Sequence, residues 1–271
     1  MPTNLPPTEQ PGPIDDLHLL SVEALLQAMH QVDEDVQPAV ADAMPALVKL
    51  IEALVPRMKE GGRLFYLGAG TSGRLGVVDA SECPPTFGVE HGKVVGLMAG
   101  GDPAIRQAVE GAEDDPHQGW RDLEFASITP LDTVVGIAAS GRTPYVIGAL
   151  NEARRRNILT GCITCNPDSP IVACCDHPVV AVTGPEFVTG STRMKAGTAT
   201  KLLLNRLTTA TMIRLGHVQG NRMVDMQLTN QKLVERGARM VAEGTGLALT
   251  EAEASLLKHG SVRAAIQAFN S

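Results

Sequence analysis

The chain has 271 residues and a formal net charge of −7, and 44% of its residues are hydrophobic but only 3% are aromatic. The acidic balance without a basic block argues against nucleic acid or an anionic membrane as a partner, and the scarcity of aromatic residues argues against base stacking. Because no apolar run reaches transmembrane length and no signal-peptide pattern opens the chain, we expect a soluble cytoplasmic protein.

The N-terminal part of the sequence predicts a flexible lead-in followed by helices. Residues 1–16 are rich in proline, which predicts a flexible N-terminus. Residues 17–60 predict N-terminal helices, because Ser21 suits a helix N-cap and apolar residues recur at helical spacing from Val36 to Leu54. We expect these helices to cover one face of a sheet or a partner subunit.

Residues 61–216 alternate short apolar runs with helical patterns. This alternation predicts an α/β domain, a doubly wound and mostly parallel five-stranded sheet flanked by helices. The predicted strands are Leu64–Leu67, Lys93–Ala99, Thr133–Ala138, Thr160–Thr164 and Pro178–Val182. Two prolines after Cys83 predict the end of the first helix, and a long helix is predicted over Met194–Leu215. Residues 217–271 predict a small C-terminal helical module.

A glycine-rich loop, Gly68–Gly73, follows the first predicted strand and opens a helix. Its pattern matches the dinucleotide fingerprint G-x-G-x-x-G, but no acidic residue ends the second strand to hold a ribose, and no Walker lysine follows. A tight turn without a ligand also fits this loop when it is taken alone. Two further hydroxyl-rich loops, at Ser140–Thr143 and Gly190–Arg193, also follow predicted strands. Since ligands bind beyond the carboxyl ends of such strands, the three loops favour a pocket for a phosphate and sugar hydroxyls.

Three groups of side chains have a chemical and a structural interpretation. Glu82 is most simply a solvated surface charge, although the prolines that follow it could aim its side chain. Glu113 lies among other acids at a predicted helix C-terminus, where negative charge is unfavourable, which indicates that one of these acids serves a purpose other than stability. Cys162 and Cys165 form a C-x-x-C pattern, but residues three apart on a strand point to opposite faces, so we favour buried thiols over a zinc site.

Several long motifs resemble one known family. They run over Leu67–Gly76, Asp79–Gly88, Val109–Asp114, Ala139–Tyr145, Cys165–Pro170 and Thr189–Lys195. On these residues the chain strongly resembles the N-acetylmuramic acid 6-phosphate etherases, members of the sugar isomerase (SIS) domain superfamily. The similarity extends from about Leu17 to the last predicted helix.

The resemblance implies a lyase that cleaves the lactyl ether of N-acetylmuramic acid 6-phosphate, in recycling of the amino sugars of the bacterial cell wall. It implies no metal and no cofactor, Glu82 as proton donor, Glu113 as second catalytic carboxylate, and a homodimer with its site near the subunit interface. Two alternatives share the loops: a non-catalytic phosphosugar-binding regulator and a phosphosugar aldose–ketose isomerase.

The expected substrate contacts come from the three hydroxyl loops and their neighbouring cations. The hydroxyl candidates are Thr71, Ser72, Ser140, Thr143, Ser191 and Thr192. Arg142, Arg193 and Lys195 are the candidate partners for the phosphate or for the lactyl carboxylate.

Overall fold

The structure is a computed structural model that describes residues 5–271. The chain divides into two compact units, the first made of the residues up to Ala80 together with Val94–Leu207, and the second made of Ser81–Lys93 and Thr208–Ser271. The sequence places a domain boundary near residue 216 instead. In the structure, the second unit also includes Ser81–Lys93, which lies between two segments of the first unit in the sequence.

A five-stranded parallel sheet forms the centre of the first unit, in the order β2-β1-β3-β4-β5. The strands are β1 Leu64–Gly68, β2 Val94–Met98, β3 Thr133–Ile137, β4 Leu159–Thr164 and β5 His177–Val180. Every residue of β1, β3 and β4 is buried. Such uniform burial is typical of a parallel sheet covered on both faces, and the predicted α/β fold is confirmed.

The first unit also contains helices, several of which pack against the sheet. They are α1 Val22–Asp33, α2 Val36–Lys59, α3 Gly70–Phe87, α4 Gly101–Arg106, α5 Gln118–Phe125, α6 Pro144–Arg155, α7 Pro170–Ala173 and α8 Lys195–Leu215, of which α3 and α8 continue into the second unit. The Ser21 hydroxyl accepts the N–H of Ala24 and caps α1, as predicted. On one side of the sheet, Phe65, Val134 and Tyr145 belong to one continuous apolar core.

Two helix ends differ from the prediction. The helix α3 continues through Pro84 and Pro85 to Phe87, although an interior proline loses its N–H donor and its ring crowds the carbonyl of the preceding turn. The Pro84 carbonyl still accepts the N–H of Gly88 at 2.9 Å. In contrast, α4 ends at Arg106, because the next residue is extended, so Glu113 lies in a loop and not at a helix C-terminus.

The second unit is mainly helical. A short hairpin of β6 Val218–Gln219 and β7 Arg222–Met223 precedes α9 Gln231–Thr245, α10 Leu249–His259 and α11 Val262–Asn270. Met226, Val241 and Leu256 belong to its apolar core. The sequence analysis predicts the helices but not the hairpin. No helix among residues 5–271 is both long enough and apolar enough to cross a membrane.

The N-terminal segment differs from the predicted flexible stretch 1–16, of which residues 1–4 lie outside the described part of the chain. A 3-10 turn spans Pro7–Glu9, and the Thr8 side chain is completely buried. Thr8 is hydrogen-bonded through both its backbone and its hydroxyl to the side chain of Asn166. These contacts order a segment that composition alone describes as flexible.

Candidate phosphosugar-binding site

The candidate site lies at the carboxyl ends of the parallel strands. In the order β2-β1-β3-β4-β5, the direction in which successive strands are added reverses between β1 and β3, and ligands of doubly wound folds bind at this switch point. The loops after these two strands are the glycine-rich loop and the Ser140 loop. The topology therefore brings together two of the three loops that the sequence analysis singles out.

Close packing of glycines places the first turn of α3 directly on the sheet. Gly70 has a φ of +52°, which favours glycine, and a Cβ on Gly73 would lie 2.6 Å from Cβ of Met98. Thr71 and Ser72 are half-buried in this first turn. Since the first N–H groups of a helix have no partner within it, this turn offers backbone and hydroxyl donors to an anion.

The Ser140 loop is held from behind by the loop that follows β4. Gly141 has a φ of +67°, and a Cβ there would lie 2.1 Å from Oγ of Ser169. The Ser140 hydroxyl is half-buried and accepts the N–H of Arg142 at 3.3 Å. Thr143 stands at the N-cap position of α6. This loop therefore also presents hydroxyl groups at a helix N-terminus.

A buried carboxylate organises the third loop. Glu186 is 0% exposed, and its two carboxylate oxygens accept the N–H groups of Lys195 and Ala196 at 3.0 and 2.9 Å, which caps α8. A Cβ on Gly197, in the same turn, would lie 3.7 Å from Cγ2 of Thr71. The start of α8 is therefore close to the glycine-rich loop, and the half-buried Thr192 and Ser191 lie three and four residues before it.

The three candidate cations have different surroundings. Arg142 and Arg193 are exposed, and neither forms an ion pair with another residue in the described part of the chain. Lys195 is only 2% exposed, and its ammonium donates to Oδ2 of Asp35 at 2.8 Å. The sequence analysis did not identify this pairing with Asp35, the residue that precedes α2.

Glu113 lies beside the glycine-rich loop. Its side chain is exposed, and its backbone carbonyl accepts the N–H of Tyr145 at 3.0 Å, which fixes the loop to the start of α6. Glu113 and Gly70 line the same cavity of about 160 Å³. In the wall of this cavity, Arg74 donates hydrogen bonds of 2.8 Å to the carbonyls of Ala104 and Ile105.

Glu82 is exposed on α3, the helix whose first turn carries Thr71 and Ser72. It belongs to the second unit, in which the following Cys83 and Pro84 are buried. The carbonyl of Pro85 accepts the N–H of Gln227 at 3.2 Å within that unit. The chain after Glu82 is therefore held in the second unit by buried side chains and by a backbone hydrogen bond.

The cysteines have the features of buried structural residues. All five are free, and residues 5–271 contain no group of three or more His, Cys, Asp or Glu side chains placed to hold a metal ion. Burial is the largest effect on Cys165 and raises the pKa of its thiol to about 12. A hydrogen bond with Cys175, followed by burial, raises the pKa of Cys162. Both thiols therefore stay protonated at neutral pH.

Comparison with known proteins defines the class first. Residues 46–154 match the family model described as glucokinase regulatory protein N-terminal SIS domain, and residues 117–210 match the model described as SIS domain. A phosphoheptose isomerase from Francisella tularensis is a structural neighbour with a TM-score of 0.54 at 17% identity, covering 69% of this chain and 98% of its own. The Vibrio vulnificus NanR protein complexed with ManNAc-6P has a TM-score of 0.50 at 18% identity, covering 70% of this chain and 64% of its own. The fold and the loops together are those of a SIS-domain protein.

Full-length sequence similarity then defines the family. N-acetylmuramic acid 6-phosphate etherases from Bacteroides fragilis strain ATCC 25285 and Bacteroides thetaiotaomicron are each 56% identical over 262 residues, which is 97% of this chain and 93% and 95% of theirs. The enzyme of the same name from Yersinia pestis is 54% identical over 89% of this chain and 82% of its own. The chain belongs to the N-acetylmuramic acid 6-phosphate etherase family.

Proposed function

We propose that the chain is a carbon–oxygen lyase that converts N-acetylmuramic acid 6-phosphate to N-acetylglucosamine 6-phosphate and D-lactate, in recycling of peptidoglycan amino sugars. The observation that carries this proposal is the 56% identity with etherases over 97% of the chain. The hydroxyl loops at the carboxyl edge of the sheet support it, because they suit a phosphorylated sugar.

The reaction proceeds by elimination followed by addition of water, because an alkyl ether resists direct hydrolysis. In the open-chain sugar the C1 aldehyde acidifies the C2 hydrogen, and the ether oxygen on C3 is β to the resulting carbanion. A base removes the C2 proton, an acid protonates the departing lactate oxygen, and an unsaturated aldehyde forms. Water then adds at C3. The residues needed are one ionised and one protonated carboxyl group.

We assign the proton donor to Glu82 and the base to Glu113. The position of Glu113 in a cavity shared with the glycine-rich loop supports a role beside the bound sugar. Glu82 lies on the same helix that begins at the proposed phosphate site. Both side chains are exposed, so both are open to a substrate.

Exchange of the C2 hydrogen in deuterated water separates the two roles. Glu82→Gln is expected to stop lactate release, with a loss of about 10²–10⁴-fold, and to leave C2 exchange of the product intact. Glu113→Gln is expected to abolish both. Asp114→Asn and Glu90→Gln serve as matched controls, because each neutralises another exposed carboxylate, next to Glu113 and eight residues after Glu82 respectively. Exchange that is lost in Glu82→Gln and retained in Glu113→Gln would reverse the assignment.

The phosphate is proposed to bind the hydroxyls and N–H groups of the three loops. The hydroxyl donors are Thr71, Ser72, Ser140, Thr143, Ser191 and Thr192. The exposed guanidinium groups of Arg142 and Arg193 are the proposed partners for the phosphate or the lactyl carboxylate. Lys195 is a further proposed partner for these anions, because its ammonium has three N–H donors and Asp35 accepts one of them.

We also infer that the enzyme is a homodimer. No residue of α1 is buried, and Val22 and Leu26 are 73% and 61% exposed. An exposed apolar helix face is typical of a protein interface. Light scattering should give a dimer mass that Leu26→Glu converts to a monomer mass, whereas a monomer mass for the unaltered protein would contradict this inference. The cytoplasmic location stays a prediction, supported by the five free thiols.

One assay separates the proposed enzyme from its two alternatives. N-acetylmuramic acid 6-phosphate is mixed with the protein, and free D-lactate is measured. Binding of the phosphosugar without release of lactate would identify a regulator. Conversion of a phosphosugar between aldose and ketose forms without lactate would identify an isomerase.

A further inference from the structure

An N-terminal strap, defined as Pro7–Gly12, lies against loops of the proposed phosphosugar site. The Thr8 side chain is 0% exposed. Burial of a polar side chain is costly unless its hydrogen bonds are satisfied. The partners of Thr8 therefore indicate what the strap holds in place.

The first tether of the strap reaches the Ser140 loop through Asn166. The N–H of Thr8 donates to Oδ1 of Asn166 at 3.2 Å, and Nδ2 of Asn166 donates to the Thr8 hydroxyl at 2.8 Å. The same Nδ2 donates to the carbonyl of Ala139 at 3.1 Å. Because Ala139 directly precedes Ser140, Thr8 fixes the amide that orients the backbone of this loop.

The second tether reaches the third loop. The N–H of Gly12 donates to the Thr189 hydroxyl at 2.9 Å, two residues before Ser191. A Cβ on Gly12 would lie 2.8 Å from the carbonyl oxygens of both Glu186 and Phe187, so only glycine fits this approach. The strap thus connects two of the three hydroxyl loops.

We infer that Thr8 is a positioning residue for phosphosugar binding, acting through Asn166 and Ala139 on the hydroxyl and N–H donors of the Ser140 loop. This inference rests on the proposed function. The strap also forms one wall of a cavity of about 290 Å³ whose other wall contains Arg142. The strap is therefore part of the surroundings of the site and not an unordered lead-in.

The phosphate does not react, so its binding affects the ground state and the transition state alike. A loss of such uniform binding raises KM and leaves kcat nearly unchanged. A merely structural weakening of the fold instead lowers the amount of active enzyme, and therefore the apparent kcat, without changing KM. A change in KM relative to the change in kcat therefore distinguishes a positioning role of Thr8 from a purely stabilising one.

The test uses Thr8→Val, which keeps the shape of the side chain and removes its hydroxyl. We expect KM for N-acetylmuramic acid 6-phosphate to rise about five- to twentyfold, with kcat changed less than threefold, because the buried hydroxyl loses its hydrogen bond from Asn166 and a longer one, of 3.4 Å, to Oε1 of Glu9. Thr8→Ser retains the hydroxyl and should restore KM. Thr160→Val is the matched control, because Thr160 is also 0% exposed and donates to Asp176 at the opposite end of β4.

Thr189→Val removes the second tether, at an exposed position, and tests the role of the strap if Thr8→Val does not fold. We expect it to raise KM about threefold or more. Binding of N-acetylglucosamine 6-phosphate by calorimetry should weaken in parallel in each strap variant. An unchanged KM and an unchanged binding constant in these variants, or an equal rise of KM in Thr160→Val, would overturn the inference. Failure of the unaltered protein to release lactate would refute the proposed function, while the calorimetric comparison would still test the strap.

Discussion

Asp132→Asn should destabilise the fold at the amino ends of the strands, which lie opposite the site. The Asp132 carboxylate is buried at the amino end of β3 and accepts hydrogen bonds from Nη2 of Arg63 at 2.9 Å and from the backbone N–H of Arg63 at 2.8 Å. The N–H and hydroxyl of Thr129 donate at 2.7 and 3.1 Å to Oδ2, the same oxygen that accepts Nη2 of Arg63. The carboxylate thus joins the start of β1 to the turn before β3.

The expected cost follows from these contacts. Asparagine keeps one acceptor oxygen but turns an NH₂ group toward donors and leaves the Arg63 guanidinium without its counter-charge. Breaking a buried pair costs about 3–5 kcal/mol, and the Arg63 side chain is 28% exposed, so water offsets part of the loss. We expect a loss of about 2–4 kcal/mol in the free energy of unfolding, which lowers Tm by about 4–16 °C at this size.

The pH dependence of the loss identifies its cause. Burial acts to raise the pKa of Asp132, but the hydrogen bonds from Arg63 and Thr129 outweigh it and hold this pKa below its usual value of 3.8. A carboxyl group with a depressed pKa in the folded state stabilises the protein above the unfolded-state pKa, and this contribution is lost as the pH falls through the folded-state pKa. The difference between the unaltered protein and Asp132→Asn should therefore stay constant from pH 7 to about pH 5 and shrink as the pH falls below about 4.

Urea unfolding at pH 7, 5, 4 and 3 measures this difference. Asp115→Asn is the control, because it breaks a surface ion pair with Arg121 whose side chains are 42% and 56% exposed, and it should leave the stability almost unchanged. Since Asp132 lies away from the strand ends that form the site, KM of folded Asp132→Asn should equal that of the unaltered enzyme. A stability difference that is independent of pH down to pH 3, or one no larger than that of Asp115→Asn, would refute this account.

Three further substitutions test the site and its supports. Gly73→Ala should cost about 2 kcal/mol or more in the free energy of unfolding and abolish activity, because the new Cβ would meet Cβ of Met98 at 2.6 Å. Gly70→Ala has open space around the new Cβ and only a strained φ, so it should cost about 1 kcal/mol. Equal losses in urea unfolding would contradict the packing argument. Lys195→Met and Asp35→Asn in a double-mutant cycle should give a coupling of about 1–2 kcal/mol, since Asp35 is 62% exposed, and additive losses would show that the pair is not coupled. Ser140→Ala should raise KM about tenfold with kcat retained, and unchanged affinity for N-acetylglucosamine 6-phosphate would remove Ser140 from the phosphate site.

The sequence predicts the sheet well because its strands are short, apolar and bounded by turn residues. Leu64–Leu67 and Thr160–Thr164 lie within the observed β1 and β4 to within a residue at each end. Their burial on both faces explains why continuous apolar runs, and not alternation, mark these strands. Because parallel strands align their carboxyl ends, the fold alone places the glycine-rich loop and the Ser140 loop at the same end of the sheet.

Features that depend on tertiary contacts were not predictable in this way. The pattern after Pro103 is helical, yet Gln107 adopts an extended conformation with φ −131°, so Glu113 lies in a loop. The double proline favours a helix end, yet packing of Pro84 in the second unit accompanies continuation of α3. Local propensity is a weak prior that such packing overrides.

Hydrogen bonds between polar residues far apart in sequence were the hardest features to predict from the local sequence. Thr8 and Asn166 are 158 residues apart in sequence, and Lys195 is 160 residues from Asp35. Nothing near Thr8 distinguishes it from a solvated threonine in a proline-rich segment. Glu186 similarly reads as a loop acid until its carboxylate is seen at the start of α8. The sequence motifs therefore identify the candidate catalytic and binding residues, whereas only the structure identifies the residues that hold them in place.

The measurement that tests the central claim most directly is turnover of N-acetylmuramic acid 6-phosphate in water labelled with ¹⁸O. Elimination of lactate followed by addition of water at C3 predicts equal amounts of D-lactate and N-acetylglucosamine 6-phosphate. The label should be found in the C3 hydroxyl of the sugar, and the lactate should keep the unlabelled ether oxygen. Absence of lactate would contradict the proposed activity, and label in the hydroxyl of lactate would contradict the proposed bond cleavage.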